Sequence, residues 1–180
     1  MLRATPWNVD AAALAMPLKD ITPKKILRLG FIPQDPAHPV TPPIERALKT
    51  AVEKIIAAGH EVVALEAKPS PAEAADLCWK FFLTDPQNTS DKIIEEGGEP
   101  MVPAIKQTWQ NPRLPNVEMD EYYDINAKRK DLKAEWHKLF VEQKLDAVIL
   151  PGYIGTAPEH DKYGTVCYTA FAVLLDVSVL

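Results

Sequence analysis

The chain has 180 residues, of which 47% are apolar and 25% are charged, and its formal net charge at pH 7 is −5. This is the composition of a globular protein with one sizeable core. Because its charges are mixed in sign and no basic patch is present, the sequence excludes nucleic-acid binding, and no apolar run approaches the ~20 residues that span a bilayer.

The glycine and cysteine counts exclude further classes of protein. With 7 glycines and 17 prolines, the chain is poorly suited to phosphate-binding loops, which depend on glycine. Its two cysteines, Cys78 and Cys167, are too few for a disulfide framework or a zinc site, and both lie in apolar stretches. The first residues lack the apolar run of a signal peptide. We therefore expect a cytoplasmic protein without a cofactor.

A strand–helix–strand pattern occupies 26–66, after an irregular, proline-punctuated lead-in at 1–25 that we expect to lie across another part of the molecule. Its strands are the apolar runs at 26–32 and 61–65. The helix between them is indicated by Thr41 as N-cap, Pro42 at the first position, an apolar stripe at helical spacing and Gly59 beyond the end. Strands joined in this way are parallel, so the pattern predicts a βαβ unit with a right-handed crossover.

The rest of the chain alternates helices with irregular segments. Residues 72–83 predict a short helix that Ser70 and Pro71 begin. Residues 84–119 are rich in loops around brief helical pieces and predict an insertion or binding surface. The region 120–180 predicts a helix–strand–helix arrangement. Its parts are a long helix at 120–144, a buried strand at 145–150, an irregular loop, a helix at about 165–175 and the entry to another strand at 176–180.

No residue has the sequence setting of a catalytic nucleophile. The serines Ser70, Ser90 and Ser178 all lie outside a Gly-x-Ser-x-Gly pattern, and Ser70 is better explained as a helix cap. Cys167 is the better placed of the two thiols, near the predicted start of a helix, but its apolar neighbours favour core packing. We therefore assign no catalytic residue.

The histidines do not form a metal site by their spacing. His38, His60, His137 and His160 show no i,i+4 pair. The adjacent acidic and imidazole side chains at 159–161 offer three potential ligands, but neighbours in sequence rarely bind one ion, so loop solvation is the better interpretation. No metal ligand is assigned.

Four stretches, in this order, resemble one family. They are PWNVDAAALAMPL, ILRLGFIPQDPAHPVTPPIERALKTAVEKIIAAGHEVV, LDAVILP and YGTVCYTAFAVLLD. Together they resemble the later half of amidase-signature enzymes, most nearly the fungal acetamidase-like amidohydrolases. The resemblance implies a large α/β/α fold with a mixed sheet, which hydrolyses carboxamide C–N bonds through a Ser–cis-Ser–Lys triad and an acyl-enzyme.

The resemblance also implies which part of the active site this chain carries. The family's catalytic lysine and serines lie on a segment upstream of the matched stretches, so no residue here inherits their role. The loop after LDAVILP and the helix at 165–175 resemble the wall of the acyl pocket. The positions carried over as substrate-binding are Pro151, Tyr153, Ile154, Tyr168 and Phe171. Core packing is the alternative for all five, and Val173 and Ser178 stand where the family usually has Asn and Pro.

We therefore interpret residues 1–180 as a single incomplete amidase-like domain of the α/β class, inactive alone, whose partner is a small amide or acyl ligand. Unpaired strand edges in such a domain also predict homo-oligomers. Two alternatives stay open. The chain is either a non-catalytic module that binds a small molecule or a protein with the same half-fold, or a second polypeptide supplies the missing half and restores activity.

Overall fold

The structure, a computed structural model, describes residues 5–16, 20, 22–66, 68–85, 87, 89–104, 106, 118–162 and 166–177. Within these ranges, a short 3-10 turn at Pro6–Asn8 is followed by three strands and five longer helices. In chain order they are β1 (Arg28–Phe31), α1 (Pro42–Ala57), β2 (Glu61–Ala64), α2 (Pro71–Leu83), α3 (Thr89–Glu96), α4 (Met119–Gln143), β3 (Ala147–Ile149) and α5 (Tyr168–Leu174).

The three strands form a parallel sheet in the order β2-β1-β3. The pairing continues beyond β1, where the Ile32 N–H donates to the Ile149 carbonyl at 2.9 Å and the Leu65 N–H donates to the Phe31 carbonyl at 2.9 Å. The α/β class and the βαβ unit are therefore confirmed. Each strand is shorter than the apolar run that predicted it, because the neighbouring chains separate where the backbone hydrogen bonds between them end.

Helix α1 begins at Pro42, as the sequence predicts, but Thr41 does not cap it through its side chain. Thr41 has the extended backbone of an N-cap residue, while its own N–H donates to the carbonyl of Ile154 at 2.7 Å. Gly59, beyond the other end, has a φ of +90°, a conformation that favours glycine. The helix boundaries are thus set as predicted, and Thr41 acts as a link to a distant loop.

The main core lies on one face of the sheet. Helices α2, α4 and α5 pack there against Ile32, Val148 and Leu65. Successive side chains of a strand point to opposite faces, so Leu29 and Phe31 point to the other face. None of the residues of α1 belongs to the core cluster, and α1 packs beside β2. The architecture is therefore a sheet with a three-helix layer on one face and α1 on the other.

Other predicted elements differ in extent from what is observed. Helix α4 ends where Lys144 adopts a left-handed conformation with a φ of +52°. Helix α5 begins at Tyr168, later than the predicted 165, and part of the segment before it lies outside the described residues. Of the strand predicted at 176–180, Asp176 lies in a turn and 178–180 fall outside the described residues.

The described part of the lead-in is irregular, as the sequence predicts. Its apolar side chains at Val9, Leu14 and Met16 are all exposed, Val9 to 91%. The described chain therefore offers them no surface to cover. None of the helices in the described ranges is both long and apolar enough to cross a membrane.

Candidate functional site

The loops that follow β1 and β3 lie together at the carboxyl edge of the sheet, and we call the region between them the crevice. From β1 the chain passes through α1 to β2 on one side, whereas β3 lies on the other side of β1. Connections therefore diverge between β1 and β3. In open α/β sheets, ligands bind in the crevice outside the carboxyl ends of the strands where connections diverge. The candidate site is accordingly bounded by the loops at 32–41 and 150–162.

The two loops are joined directly. The hydrogen bond from the Thr41 N–H to the Ile154 carbonyl, at 2.7 Å, connects the end of the first loop to the middle of the second. Pro151 is fully buried at the base of the second loop, while Tyr153 and Ile154 are half-buried. Ile154 also packs against the core cluster. Three of the five predicted pocket residues therefore lie in a loop that is held by the first loop on one side and by the core on the other.

A buried carboxylate holds the loop after β1 in place. Asp35 is 2% exposed. Its Oδ1 accepts from the Ala37 N–H at 2.9 Å, and its Oδ2 accepts from the Ser70 hydroxyl at 2.8 Å and the Ala72 N–H at 3.1 Å. Because Ser70 and Ala72 lie at the N-terminal end of α2, where backbone N–H groups lack helical partners, the carboxylate connects the loop to this helix.

Tyr168 extends the same network to α5. Its hydroxyl accepts from the Asp35 N–H at 2.9 Å and donates to the His38 carbonyl at 2.7 Å. We call the set formed by Asp35, Ser70, Ala72, Tyr168 and the His38 carbonyl the Asp35 interlock. It fixes the loop after β1 against two helices of the main layer, and so it sets one side of the crevice.

The ionisation of the interlock follows from its hydrogen bonds. Burial alone would raise the pKa of the Asp35 carboxyl. The hydrogen bonds from Ala37, Ala72 and Ser70, together with nearby His38, outweigh burial and hold the pKa below its ordinary value of 3.8. Burial raises the pKa of the Tyr168 hydroxyl above 10.0. At neutral pH the interlock therefore consists of a carboxylate and a protonated phenol.

The Ser70 hydroxyl and both cysteine thiols are engaged in structure. The Ser70 hydroxyl donates to Asp35 and accepts from the Glu73 N–H at 3.3 Å, so it is the N-cap that the sequence predicts. Burial raises the pKa of Cys78 to about 11, against a smaller opposing effect of Arg129. Burial, reinforced by acidic neighbours, raises the pKa of Cys167 to about 12. Both cysteines are buried thiols, which confirms the prediction of core packing.

The other two predicted pocket residues lie deeper than the loop. Tyr168 is 1% exposed and Phe171 is 3% exposed. The Phe171 ring lies 4.7 Å from the Trp136 ring, between α4 and α5. Tyr168 and Phe171 are therefore buried in the core, whereas Tyr153 and Ile154 retain partly accessible side chains.

The sequence reasoning missed Asp35. The sequence did carry a signal for it, since an acidic residue lies between prolines after a buried strand. A residue in that position falls at the carboxyl edge of a parallel sheet, where ligands bind. Its partners Ser70 and Tyr168 are 35 and 133 residues away, so the network itself is invisible in the sequence. Elsewhere in the described ranges, no three His, Cys, Asp or Glu side chains are grouped so that they could hold a metal ion.

The parallel sheet with its helices defines an α/β fold, and comparison with known proteins gives the family. The Amidase family matches residues 2–179. The chain therefore belongs to the amidase family, and the predicted resemblance to amidase-signature proteins is confirmed.

Individual relatives agree with this assignment. An amidase of Gibberella moniliformis is 32% identical over 98% of this chain and 34% of its own length. An acetamidase of Aspergillus oryzae is 27% identical over 100% of this chain and 35% of its own length. The structure of a fatty acid amide hydrolase matches with a TM-score of 0.87 at 26% identity, over 97% of this chain and 31% of that chain. The chain thus spans about a third of the length of the curated relatives it matches.

Proposed function

We propose that this chain forms the acyl-pocket wall of an amidase that hydrolyses carboxamide C–N bonds, and that it does not hydrolyse amides by itself. The observation that carries the proposal is the fixed crevice between the loops after β1 and β3. The Ser70 hydroxyl is engaged as a helix cap, and the thiols of the two cysteines are buried and protonated. A group in that condition is not an activated nucleophile.

Within this proposal the five pocket residues divide into two roles. Tyr153 and Ile154 contact the acyl group of the substrate, because they are the half-buried members at the crevice and acyl groups require an apolar lining. Pro151, Tyr168 and Phe171 support them from the interior. The same proposal places the protein in the cytoplasm, where its two free thiols stay reduced.

The experiment is a chimera in which this chain replaces the matching third of the Gibberella moniliformis amidase. Ammonia release is measured with a panel of short aliphatic and aromatic amides. We expect the chimera to be active and the double substitution Tyr153→Ala and Ile154→Ala to change the preference among acyl groups, chiefly through KM. The matched control is Val141→Ala, on an α4 side chain that is 61% exposed, and it should leave the preference unchanged.

A chimera that unfolds cooperatively but hydrolyses no amide of the panel would contradict the proposed function. The alternative of a non-catalytic binding module would then gain support. If the chimera is active and the Tyr153 and Ile154 substitutions leave the acyl preference unchanged, the pocket assignment fails while the family function stands.

A further inference from the structure

The turn at 35–38, in the loop after β1, is closed through a side chain of α5. The His38 N–H donates to the Asp35 carbonyl at 3.0 Å, and the two residues form an isolated antiparallel bridge. The complementary backbone groups, the Asp35 N–H and the His38 carbonyl, are joined by the Tyr168 hydroxyl, which accepts at 2.9 Å and donates at 2.7 Å. One hydroxyl of α5 therefore takes the place of a backbone hydrogen bond in this turn.

The loop that contains this turn has few backbone donors of its own. Prolines occupy positions 33, 36 and 39, and proline has no N–H. A side-chain contact again replaces the backbone, because the Gln34 Oε1 accepts from the Val40 N–H at 3.1 Å. The Val40 side chain packs against the core cluster. The course of the chain from the turn to Thr41 therefore depends on side-chain contacts rather than on regular secondary structure.

Thr41 connects this loop to the loop after β3. Its carbonyl accepts from the N–H groups of Ile44 and Glu45 at the start of α1, at 3.0 and 3.1 Å, while its own N–H donates to the Ile154 carbonyl at 2.7 Å. Its side chain makes no capping hydrogen bond. The backbone of Thr41 is thus the point where α1 and the two loops of the crevice meet, and Ile154 is held there by an amide rather than by a side chain.

We propose that the backbone N–H of Thr41 and the hydroxyl of Tyr168 act as one unit that positions the loop after β3 for acyl recognition, although neither group contacts the substrate. The inference rests on the proposed function, in which Tyr153 and Ile154 of that loop contact the acyl group. The Tyr168 hydroxyl holds the turn at 35–38, and the Thr41 N–H holds the Ile154 carbonyl. Groups that act in series on one loop should have non-additive effects when both are removed.

Two substitutions remove these two groups with little other change. Tyr168→Phe removes the hydroxyl and keeps the buried ring. Thr41→Pro removes the N–H, and Thr41 already has a φ of −71° and a ψ of 155°, values that proline adopts. The matched control for Thr41→Pro is Thr41→Val, which keeps the N–H and the shape of the side chain. The matched control for Tyr168→Phe is Tyr123→Phe, on an α4 side chain that is 66% exposed.

The kinetic test uses the chimera with the Gibberella moniliformis amidase and its amide panel. We expect Tyr168→Phe and Thr41→Pro each to change the ratio of kcat/KM between aliphatic and aromatic amides about fivefold or more, through KM. The kcat should stay within about twofold, because the two groups affect ground-state and transition-state binding alike. The double variant should change the ratio no further than the larger single effect. A smaller folded fraction would instead lower kcat equally for every amide.

Hydrogen–deuterium exchange of the chain alone measures the same coupling without any activity. The Thr41 amide is hydrogen-bonded and should be protected in the wild type, and Tyr168→Phe should accelerate its exchange at least about tenfold. The Leu65 amide, which donates to the Phe31 carbonyl at 2.9 Å within the sheet, should keep its wild-type rate. Tyr123→Phe should change neither rate. Circular dichroism verifies the fold of each variant, and Thr41→Pro, at an exposed position, decides the outcome if Tyr168→Phe does not fold.

An active chimera whose acyl preference is unchanged by Tyr168→Phe or by Thr41→Pro overturns the inference. Effects that add in the double variant also overturn it, since the two groups would then act separately. Equal acceleration of the Thr41 and Leu65 amides overturns it as well, by showing that the hydroxyl stabilises the whole fold. These three outcomes leave the proposed function intact, whereas an inactive wild-type chimera rejects the proposed function and this inference with it.

Discussion

Replacing Asp35 with alanine should destabilise the chain more than any surface substitution. The carboxylate is buried and accepts three hydrogen bonds, from Ala37, Ser70 and Ala72. Alanine leaves three donors without an acceptor in a position that water reaches poorly. The change therefore removes the connection between the loop after β1 and the N-terminus of α2.

The expected magnitude follows from the hydrogen bonds. A hydrogen bond to a charged group contributes about 1.5–3 kcal/mol, and a buried donor left unsatisfied costs about 1–3 kcal/mol. Because the three bonds share one carboxylate, their contributions overlap, and the total loss should be about 3–5 kcal/mol. Asp35→Asn keeps an acceptor for one donor but turns an NH₂ group toward another, so it should lose about as much.

Urea unfolding followed by tryptophan fluorescence and circular dichroism measures the loss, with an unchanged m-value as the criterion of two-state behaviour. The matched control is Asp131→Ala, at an exposed position of α4, which should stay within about 0.5 kcal/mol of the wild type. An Asp35→Ala chain within about 1 kcal/mol of the wild type would refute the reasoning, since the interlock would then contribute nothing beyond a surface contact.

Three further predictions follow from the same contacts. The pKa of Asp35 is lowered in the folded state, so its contribution to stability is complete above the ordinary value of 3.8 and is lost as the pH falls through the folded value. The difference in free energy of unfolding between the wild type and Asp35→Ala should accordingly shrink between pH 7 and about pH 3. A constant difference would contradict this prediction. Cys78 and Cys167, with pKa values of about 11 and 12, should react with a disulfide reagent at pH 8 only as fast as the chain unfolds, so labelling faster than unfolding would show that the thiols are accessible. Phe171→Ala should cost about 3–5 kcal/mol because it empties the contact with Trp136, whereas Val173→Ala, on the exposed side of α5, should cost less than about 0.5 kcal/mol.

Local signals in the sequence were sufficient for the elements that depend on local chemistry. Pro42 and Gly59 delimit α1, and Ser70 begins α2, because caps and backbone preferences act over a few residues. The parallel βαβ unit followed from the strand–helix–strand order with short joints. By contrast, Thr41 has the backbone of a cap but hydrogen-bonds to Ile154, a partner that only the sheet order brings near.

The candidate site likewise combines features that the sequence predicts with features that depend on tertiary contacts. Its place after β3 is a prediction from the family resemblance, and the loops at the carboxyl ends of the strands are where open α/β sheets bind ligands. Nothing local in the sequence shows that Tyr168 and Phe171 are buried behind the crevice or that the Tyr168 hydroxyl holds Asp35. Those facts depend on tertiary contacts, such as the one between Asp35 and Tyr168, which are 133 residues apart. Periodicity identifies the residues as apolar or polar without separating lining from support.

The most direct measurement of the central claim is amide hydrolysis by the purified chain alone. Ammonia release is followed with the same amide panel used for the chimera, after circular dichroism has verified the fold. The account predicts no release above that of buffer, because the serine and the thiols near the crevice are capped or protonated. Turnover that co-purifies with the chain would contradict it. Loss of that turnover in the Ser70→Ala variant would make Ser70 the nucleophile, and its survival would place a working nucleophile elsewhere in this chain.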